Sequence, residues 1–349
     1  MSIQSRFLLF KRANGFYYIL FDQDGRRRWK STGCTLKHEA IKSLTEFEQL
    51  FQQKQKEVTL SQFSADFLSF AKGNFAKCTV DFYRTAFDHL KSMVGDIPLS
   101  SLTMQHIDLY KVKRLADNAK YSTANVSGAT VNRELQALRA AMNTAVSWKH
   151  LEHNPFSKMA QVQIPEVTPS YFTKQDFQRL LNAITEEWLK ELVVFAVLTG
   201  MRRGELVNLR WQDVDLQRKL IQIQSSPTFR TKQGKRRVVP MSEVVFNLLG
   251  SKAQRIRSEY IFHIKGYKIN DDHASKKLKK YVGEAKLDPK LHFHSLRHTF
   301  ASWLVQDGVS LYELQKLLGH SNIAVTQVYS HLQPEGLHST VNRISLSLN

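Results

Sequence analysis

The chain has 349 residues, 42% of them hydrophobic and 23% charged, which is the balance of folded domains rather than of disorder. Its 50 Lys and Arg against 31 Asp and Glu give a net charge of +19, so we expect a polyanionic partner such as nucleic acid. The longest apolar run, 192–198, is far shorter than the ~20 residues that span a bilayer, and we expect no membrane partner. No signal-peptide pattern opens the sequence, and two cysteines cannot form a disulfide framework or a four-thiolate zinc site, so we expect a cytoplasmic protein.

The first zone, residues 1–58, is predicted to form a three-stranded sheet and one helix. Two short β-like runs flank a turn at 13–15, and a second turn at 22–25 precedes a basic run. The polar stretch 37–56 is predicted to be helical. Three cations alternate along the third strand and so share one face of it: Arg26, Arg28 and Lys30. A solvated strand edge or a DNA contact explains them equally well, and the overall charge favours DNA.

The second zone, residues 59–155, is predicted to be entirely helical. Phe63, Phe67 and Phe70 recur at the three- and four-residue spacing of one helical face, and the pattern continues in later segments. Four helices are expected, the last ending before Pro155. The stretch 156–172 contains two prolines and little periodicity, and it is interpreted as a linker.

The third zone, residues 173–349, is predicted to combine helices with a short sheet. Thr173 begins a capping-box-like sequence, and an almost wholly apolar helix at 188–199 is expected to end at Gly200. Ser310 and Gly319 are predicted to cap the two ends of another helix, and Ser321 to cap the next. Strands are predicted at Leu220–Gln224, Thr228–Lys232 and Arg236–Pro240, with a tight turn at 233–235.

Four clusters in the third zone are unusual for a globular core. They lie at 199–206, 230–237, 292–298 and 318–320, the last followed nine residues later by Tyr329. In the third cluster, His294, Arg297 and His298 share one helical face. Arginine binds phosphate oxygens with two hydrogen bonds, and phosphoryl transfer needs such a clamp. Because no cysteine or carboxylate completes a zinc site with these histidines, no metal is expected, and His298 is interpreted as a supporting or packing histidine.

These clusters, in this order and at this spacing, resemble the motifs of the tyrosine recombinases, the phage-integrase-type site-specific recombinases. The resemblance covers the whole third zone. It implies a phosphate clamp of Arg202 and Arg297, a β-hairpin lysine at Lys232, two histidines at His294 and His320, and a nucleophile at Tyr329. Glu205 matches the acidic residue that supports the first arginine. Further DNA-contact candidates are Arg203, Lys235, Arg236 and Arg237.

The resemblance also implies a multidomain fold that is mainly α with small β-sheets. The domains expected are a three-stranded sheet plus helix that binds arm-type DNA sites at 1–58, a four-helix, SAM-like core-binding domain at 59–155, a linker at 156–172, and an α+β catalytic domain with a C-terminal tail at 173–349. The loose match of the first zone favours an integrase with distant arm sites.

The implied activity is site-specific recombination of double-stranded DNA through a 3′-phosphotyrosine and a Holliday junction. A homotetramer would act without any cofactor, in a prophage or another mobile element, with DNA-bending or directionality factors as candidate partners. Two alternatives stay open: a non-catalytic DNA-binding regulator, and a topoisomerase-like enzyme acting alone on one duplex. Enzymes of the latter kind usually carry lysine where His294 stands.

Overall fold

The computed structural model describes residues 7–23, 26–55, 57–119, 124–165, 168–225, 229, 236–254 and 256–333. The described chain is mostly helical with small sheets, as the sequence predicts. It divides into two compact units, 1–165 and 166–349. In the described part of the chain, no helix is both long enough and apolar enough to cross a membrane.

The N-terminal part of the first unit is an antiparallel sheet followed by a helix. Its elements are β1 (Leu8–Lys11), β2 (Tyr17–Gln23), β3 (Arg26–Ser31) and α1 (Lys37–Gln55), with β2 in the middle of the sheet. Phe21 is buried, and its ring centroid lies 4.9 Å from that of Phe47 on α1. This aromatic contact fixes which face of the sheet the helix covers.

The register of the sheet also shows which face carries the basic residues of β3. Lys30 lies opposite the buried Ile19, and Arg28 opposite Phe21, so both cations are on the α1 side of the sheet. The ammonium of Lys30 lies 4.5 Å from the ring centroid of Phe47. The cations therefore alternate along β3 as predicted, but the face on which they lie is the face that α1 also covers.

Among the described residues, the rest of the first unit contains four α-helices: α2 (Leu60–Asn74), α3 (Lys77–Val94), α4 (Met104–Ala116) and α5 (Gly128–Ser147). This count confirms the expectation for 59–155, and the helices enclose one apolar cluster. Phe156 is fully buried in the same cluster. Asn132 on α5 exchanges two hydrogen bonds of 2.8 Å with the backbone of Val162. The stretch interpreted as a linker therefore begins as part of the helical unit.

The second unit is built around one apolar helix and the helices and strands packed on it. Its elements are α6 (Lys174–Ala183), α7 (Glu187–Thr199), α8 (Arg203–Val207), β4 (Val214–Asp215), β5 (Leu220–Ile223), β6 (Arg237–Pro240), α9 (Glu243–Ala253), β7 (His263–Ile264), β8 (Tyr267–Lys268), α10 (Asp271–Glu284), α11 (Phe293–Gln306), α12 (Leu311–Leu318) and α13 (Ala324–Gln327). α7 is the central helix, and α11 packs against it. The first sheet has the order β4-β5-β6. The predicted turn at 233–235 and most of the predicted strand before it lie outside the described residues.

Most predicted helix caps are confirmed. The hydroxyl of Thr173 accepts the backbone N–H of Asp176 at 3.0 Å, and Ser310 forms a full capping box. Gly200 and Gly319 end α7 and α12 in the left-handed conformation, with φ of 61° and 66°.

The helix before Tyr329 begins differently from the prediction. Its N-cap position is Ile323, which forms no side-chain cap hydrogen bond, and the side chain of Asn322 accepts the N–H of Ala324 at 3.0 Å.

Candidate active site

Arg297 joins the ends of two helices from the middle of a third. It lies on α11 and is 3% exposed. Its guanidinium donates to the carbonyl of Gly200 at 2.6 Å and to that of Leu318 at 2.7 Å. These carbonyls lie at the C-terminal ends of α7 and α12, where the helix dipole is negative and favours a cation. Arg297 thus brings three of the four sequence clusters together.

The charge of Arg297 persists in this buried position. Desolvation, followed by the positive charges of Arg202 and Arg237, lowers the pKa of Arg297 to about 9. That value is still above neutral pH, so a full positive charge is present inside the site. Such a charge stabilises an anionic phosphate that enters it.

Glu205 is a buried carboxylate held by two arginines. It accepts the backbone N–H of Arg202 at 2.8 Å and the side chain of Arg202 at 3.0 Å. Arg237 from β6 donates two more hydrogen bonds, of 2.7 and 2.6 Å. Burial alone would raise the pKa of Glu205, but the hydrogen bonds and charges of these arginines outweigh it, and the pKa is lowered. Glu205 is placed to orient Arg202.

Arg237 differs from its sequence interpretation as a DNA contact. Its two terminal nitrogens are engaged by Glu205, and its side chain is largely buried. The physical reason is charge balance, because a buried carboxylate needs paired and hydrogen-bonded cations. Arg236, the residue before it, is exposed and remains a candidate for phosphate contact.

Tyr329 is buried beside α11, with its hydroxyl aimed at a histidine. Its side chain is 3% exposed, and its Oη lies 2.6 Å from Nδ1 of His298. Desolvation raises the pKa of Tyr329 to about 12, and the charge of Arg297 acts in the opposite direction. The tyrosine is therefore a neutral phenol at rest and needs a partner that removes its proton.

The sequence interprets His298 as a supporting or packing histidine, but the structure places it in direct contact with the hydroxyl of Tyr329. Its place four residues after His294, on the same helical face, was visible in the sequence. Nothing in the sequence placed Tyr329 against it, because that contact depends on the path of the chain through α12 and α13.

The two predicted histidines flank this pair. The ring of His294 meets that of His298 edge-on, with centroids 4.8 Å apart, and His294 is exposed. His320 follows Gly319, and its Nδ1 lies 3.0 Å from the hydroxyl of Thr326. Desolvation and then the charges of nearby arginines lower the pKa of His320 to about 4, so its ring is neutral at pH 7.

An open cleft continues from these residues toward α10. Basic side chains contribute to its lining: Arg202, Arg203, Lys276, Lys279, His292 and His294. Arg203 hydrogen-bonds the hydroxyl of Ser275, and its Nε lies 3.7 Å from Asp271. The cleft suits a polyanion that reaches the site along this side.

The remaining predicted site residues fall into two groups. Lys232 and Lys235 lie outside the described residues. Arg26, Arg28 and Lys30 belong to the first unit. In the described part of the chain, no three His, Cys, Asp or Glu side chains are grouped so as to hold a metal ion.

Comparison with protein families gives two matches that together cover most of the chain. Residues 170–335 match the phage integrase family, and residues 59–162 match the phage integrase SAM-like domain. The tyrosine recombinase XerA of Thermococcus onnurineus is 30% identical over 239 residues, which cover 65% of this chain and 79% of the relative. The tyrosine recombinase XerC of Thermodesulfovibrio yellowstonii is 29% identical over 223 residues, covering 59% and 72%.

Solved structures show the same fold. The Tn1549 transposon integrase in complex with transposon right end DNA has a TM-score of 0.68 at 19% identity, over 83% of this chain and all of that one. A lambda integrase tetramer bound to a Holliday junction has a TM-score of 0.63 at 19% identity, covering 90% and 95%. The family matches, the recombinase relatives and the shared fold agree: the chain belongs to the phage integrase family and is a tyrosine recombinase.

Proposed function

We propose that this chain is a site-specific DNA recombinase that cuts and rejoins DNA through a 3′-phosphotyrosine on Tyr329. The observation that carries the proposal is the convergence on Arg297: its guanidinium ties the helix end before Arg202 to the helix end before His320, and its charge acts on Tyr329. Arg202, the neutral His320 and the proposed nucleophile Tyr329 are therefore grouped around the buried Arg297, which supports the proposal.

The chemistry proceeds in two balanced steps. Tyr329 Oη forms a bond to the scissile phosphorus and loses its proton to a neighbouring base, while the bond from phosphorus to the 5′-oxygen breaks. Arg202 and Arg297 neutralise the charge on the phosphate oxygens, and His320 hydrogen-bonds one of them. Lys232 gives a proton to the departing 5′-oxygen. The 5′-hydroxyl of a partner strand then reverses the sequence, so the bond energy is kept and no cofactor is needed.

We infer that four copies act on two duplexes through a Holliday junction, in the integration and excision of a prophage or another mobile element. The lambda integrase tetramer on a Holliday junction and the Tn1549 integrase on transposon DNA support this reading. The competing reading is a recombinase of the cell's own chromosome, as relatives named XerC and XerA suggest. The basic module at 1–58, ahead of both family matches, favours an integrase. DNA-bending and directionality factors are the accessory partners this role would use.

The N-terminal sheet is proposed to bind arm sites, with the face opposite α1 toward the DNA. That face carries Phe10, Tyr18 and Trp29, and the guanidinium of Arg12 lies 4.4 and 4.6 Å from the rings of Tyr18 and Trp29. Arg27 is on the same face by strand alternation. We therefore propose that Arg12 and Arg27 contact the arm-site DNA, in place of Arg26, Arg28 and Lys30.

Footprinting with full-length variants separates the two faces. Arg12→Ser with Arg27→Ser should remove protection at sites distant from the crossover and leave crossover protection intact. The matched control combines Arg26→Ser, Arg28→Ser and Lys30→Ser. This variant should keep protection at both the distant sites and the crossover. If only this control variant loses protection at the distant sites, Arg26, Arg28 and Lys30 are the arm-site contacts. Protection of the distant sites by all three proteins would exclude both sets of residues, and no distant protection by the wild-type protein would defeat arm binding.

Covalent capture tests the main proposal. The protein is incubated with fragments of the DNA that flanks its gene, stopped with detergent, and protein-linked fragments are sequenced. We expect one recurrent cleavage position and no linkage with Tyr329→Phe. Binding without linkage would support a regulator, and relaxation of plasmids without exchange between duplexes would support a topoisomerase-like enzyme.

A further inference from the structure

We propose that His298 is a catalytic residue of this chain, which takes the proton from Tyr329 while the tyrosine attacks the phosphate. The inference rests on the proposed function, since it concerns the same cleavage step. It assigns the base to the histidine that directly follows Arg297.

The contact with the nucleophile is direct. Nδ1 of His298 and Oη of Tyr329 are 2.6 Å apart, within the range required of a general base. His294 meets this pair through an edge-on contact with the ring of His298.

The tyrosine is held firmly in this orientation. Its N–H donates to the carbonyl of Thr326 at 3.1 Å, and its ring belongs to an apolar cluster with Ala301 and Val305 of α11 and Leu314 and Leu318 of α12. The acceptor, His298, is positioned by its neighbours on α11. The donor, Tyr329, is positioned by the packing of its ring. A contact so constrained needs little reorganisation before reaction.

The electrostatic surroundings keep His298 in the form that accepts a proton. Ionisable groups approach it from its own helix, from the start of that helix and from the segments after α12: His292, His294, Arg297, His320 and Tyr329. Desolvation, then the charges of His292 and Arg297, lower the pKa of His298 to about 4. The ring is therefore neutral at pH 7, and Nδ1 has a free lone pair when Nε2 carries the proton.

The need for a base follows from the tyrosine. With a pKa of about 12, only about one Tyr329 in 10⁵ is ionised at pH 7. Transfer of the proton from Tyr329 to a weakly basic histidine is unfavourable before the attack. The O–H bond therefore breaks at the same time as the bond from oxygen to phosphorus forms. The imidazolium produced lies beside Arg297, and that repulsion helps to return the proton to the tyrosine oxygen when the strand is rejoined.

The test uses the full-length protein and a duplex recovered by covalent capture, made with either a normal 5′-oxygen ester or a 5′-bridging phosphorothiolate. Two variants separate proton transfer from positioning. His298→Ala removes the contact, and His298→Asn keeps a polar atom near Nδ1 that cannot take a proton. His263→Ala, in the β7–β8 hairpin, is the matched histidine control.

We expect both His298 variants to bind the duplex normally and to form the adduct about 100-fold more slowly at pH 7. The loss should be equal on the two substrates, because the tyrosine must lose its proton whichever group leaves. Lys232→Ala should instead recover on the phosphorothiolate. The rate of His298→Ala should rise with pH and should partly recover with added imidazole.

Three results would overturn the proposal. Wild-type rates in both His298 variants would show that the contact is unused. A wild-type rate in His298→Asn alone would reduce His298 to a positioning residue. Recovery of His298→Ala on the phosphorothiolate would place it on the leaving-group side. Failure of the proposed function would give a different result from these three. Either the wild-type protein would form no adduct with DNA, or the Tyr329→Phe variant would still form one.

Discussion

The guanidinium of Arg237 lies on the carboxylate of Glu205 with two hydrogen bonds, of 2.7 and 2.6 Å, and so ties β6 to the start of α8. The same side chain passes directly beside Gly319, whose Cβ, if present, would lie 2.5 Å from Cδ of Arg237. Arg237 thus connects Glu205, which orients Arg202, to the turn that carries His320.

Removing this arginine should weaken the second unit. Arg237→Ala leaves the buried Glu205 carboxylate with Arg202 alone, and we expect a loss of about 3–5 kcal/mol, as for a broken buried ion pair. Thermal unfolding of the full chain measures it. Arg236→Ala, an exposed neighbour, is the matched control and should change stability by no more than about 0.5 kcal/mol. Equal stability of the two variants would contradict the role of the ion pair.

Gly319 should tolerate a side chain less well than another left-handed glycine. Gly319→Ala combines the cost of a left-handed alanine, about 1–2 kcal/mol, with displacement of Arg237. Gly308→Ala also puts an alanine at a positive φ, of 85°, but with open space around the new methyl group. We expect the larger drop in melting temperature, and a loss of cleavage rate, in Gly319→Ala only. Equal drops would show that the contact with Arg237 is unimportant.

Stability should fall with acid in the range set by the half-buried His298 and His320. The pKa of His298 and that of His320 are lowered to about 4 in the folded state, from about 6.5 in an unfolded chain. Between these values the unfolded chain binds more protons, so the free energy of unfolding rises with pH and the stability is lost as pH falls from about 6.5 to 4. Denaturant unfolding at pH 7.5, 6 and 4.5 should show this decline, and His320→Asn should reduce its slope. A constant stability over this range would refute the assignment.

Cleavage should not depend on a divalent metal. In the proposed mechanism Arg202, Arg297 and Lys232 supply the charge that Mg²⁺ supplies in metallonucleases. Adduct formation measured after dialysis against EDTA should match the untreated rate. Complete inhibition by EDTA, reversed by added magnesium, would contradict the mechanism.

Local features were predictable because neighbouring residues determine them. The capping box at Ser310 and the left-handed stop at Gly200 follow from side chains and backbone within one turn, and both are present. The shared face of His294 and Arg297 follows from helix periodicity alone. The order of sheet and helices in the first zone was equally accessible from its turns and its alternation.

Relations between distant segments were not predictable in this way. The engagement of Arg237 by Glu205 requires β6 to lie against α8, and the contact of His298 with Tyr329 requires two helices to fold back on α11. The face of β3 that carries Arg28 was clear, but its position on the α1 side depended on the cross-strand register. Each of these assignments needed tertiary structure.

The central claim is that Tyr329 becomes covalently linked to DNA, and mass spectrometry of the captured adduct tests it most directly. After digestion with nuclease and trypsin, we expect a nucleotide attached through a 3′-phosphate to the peptide that contains Tyr329, and unmodified peptides for the other tyrosines. A nucleotide attached to any other residue, or to the 5′ side of the break, would contradict the account.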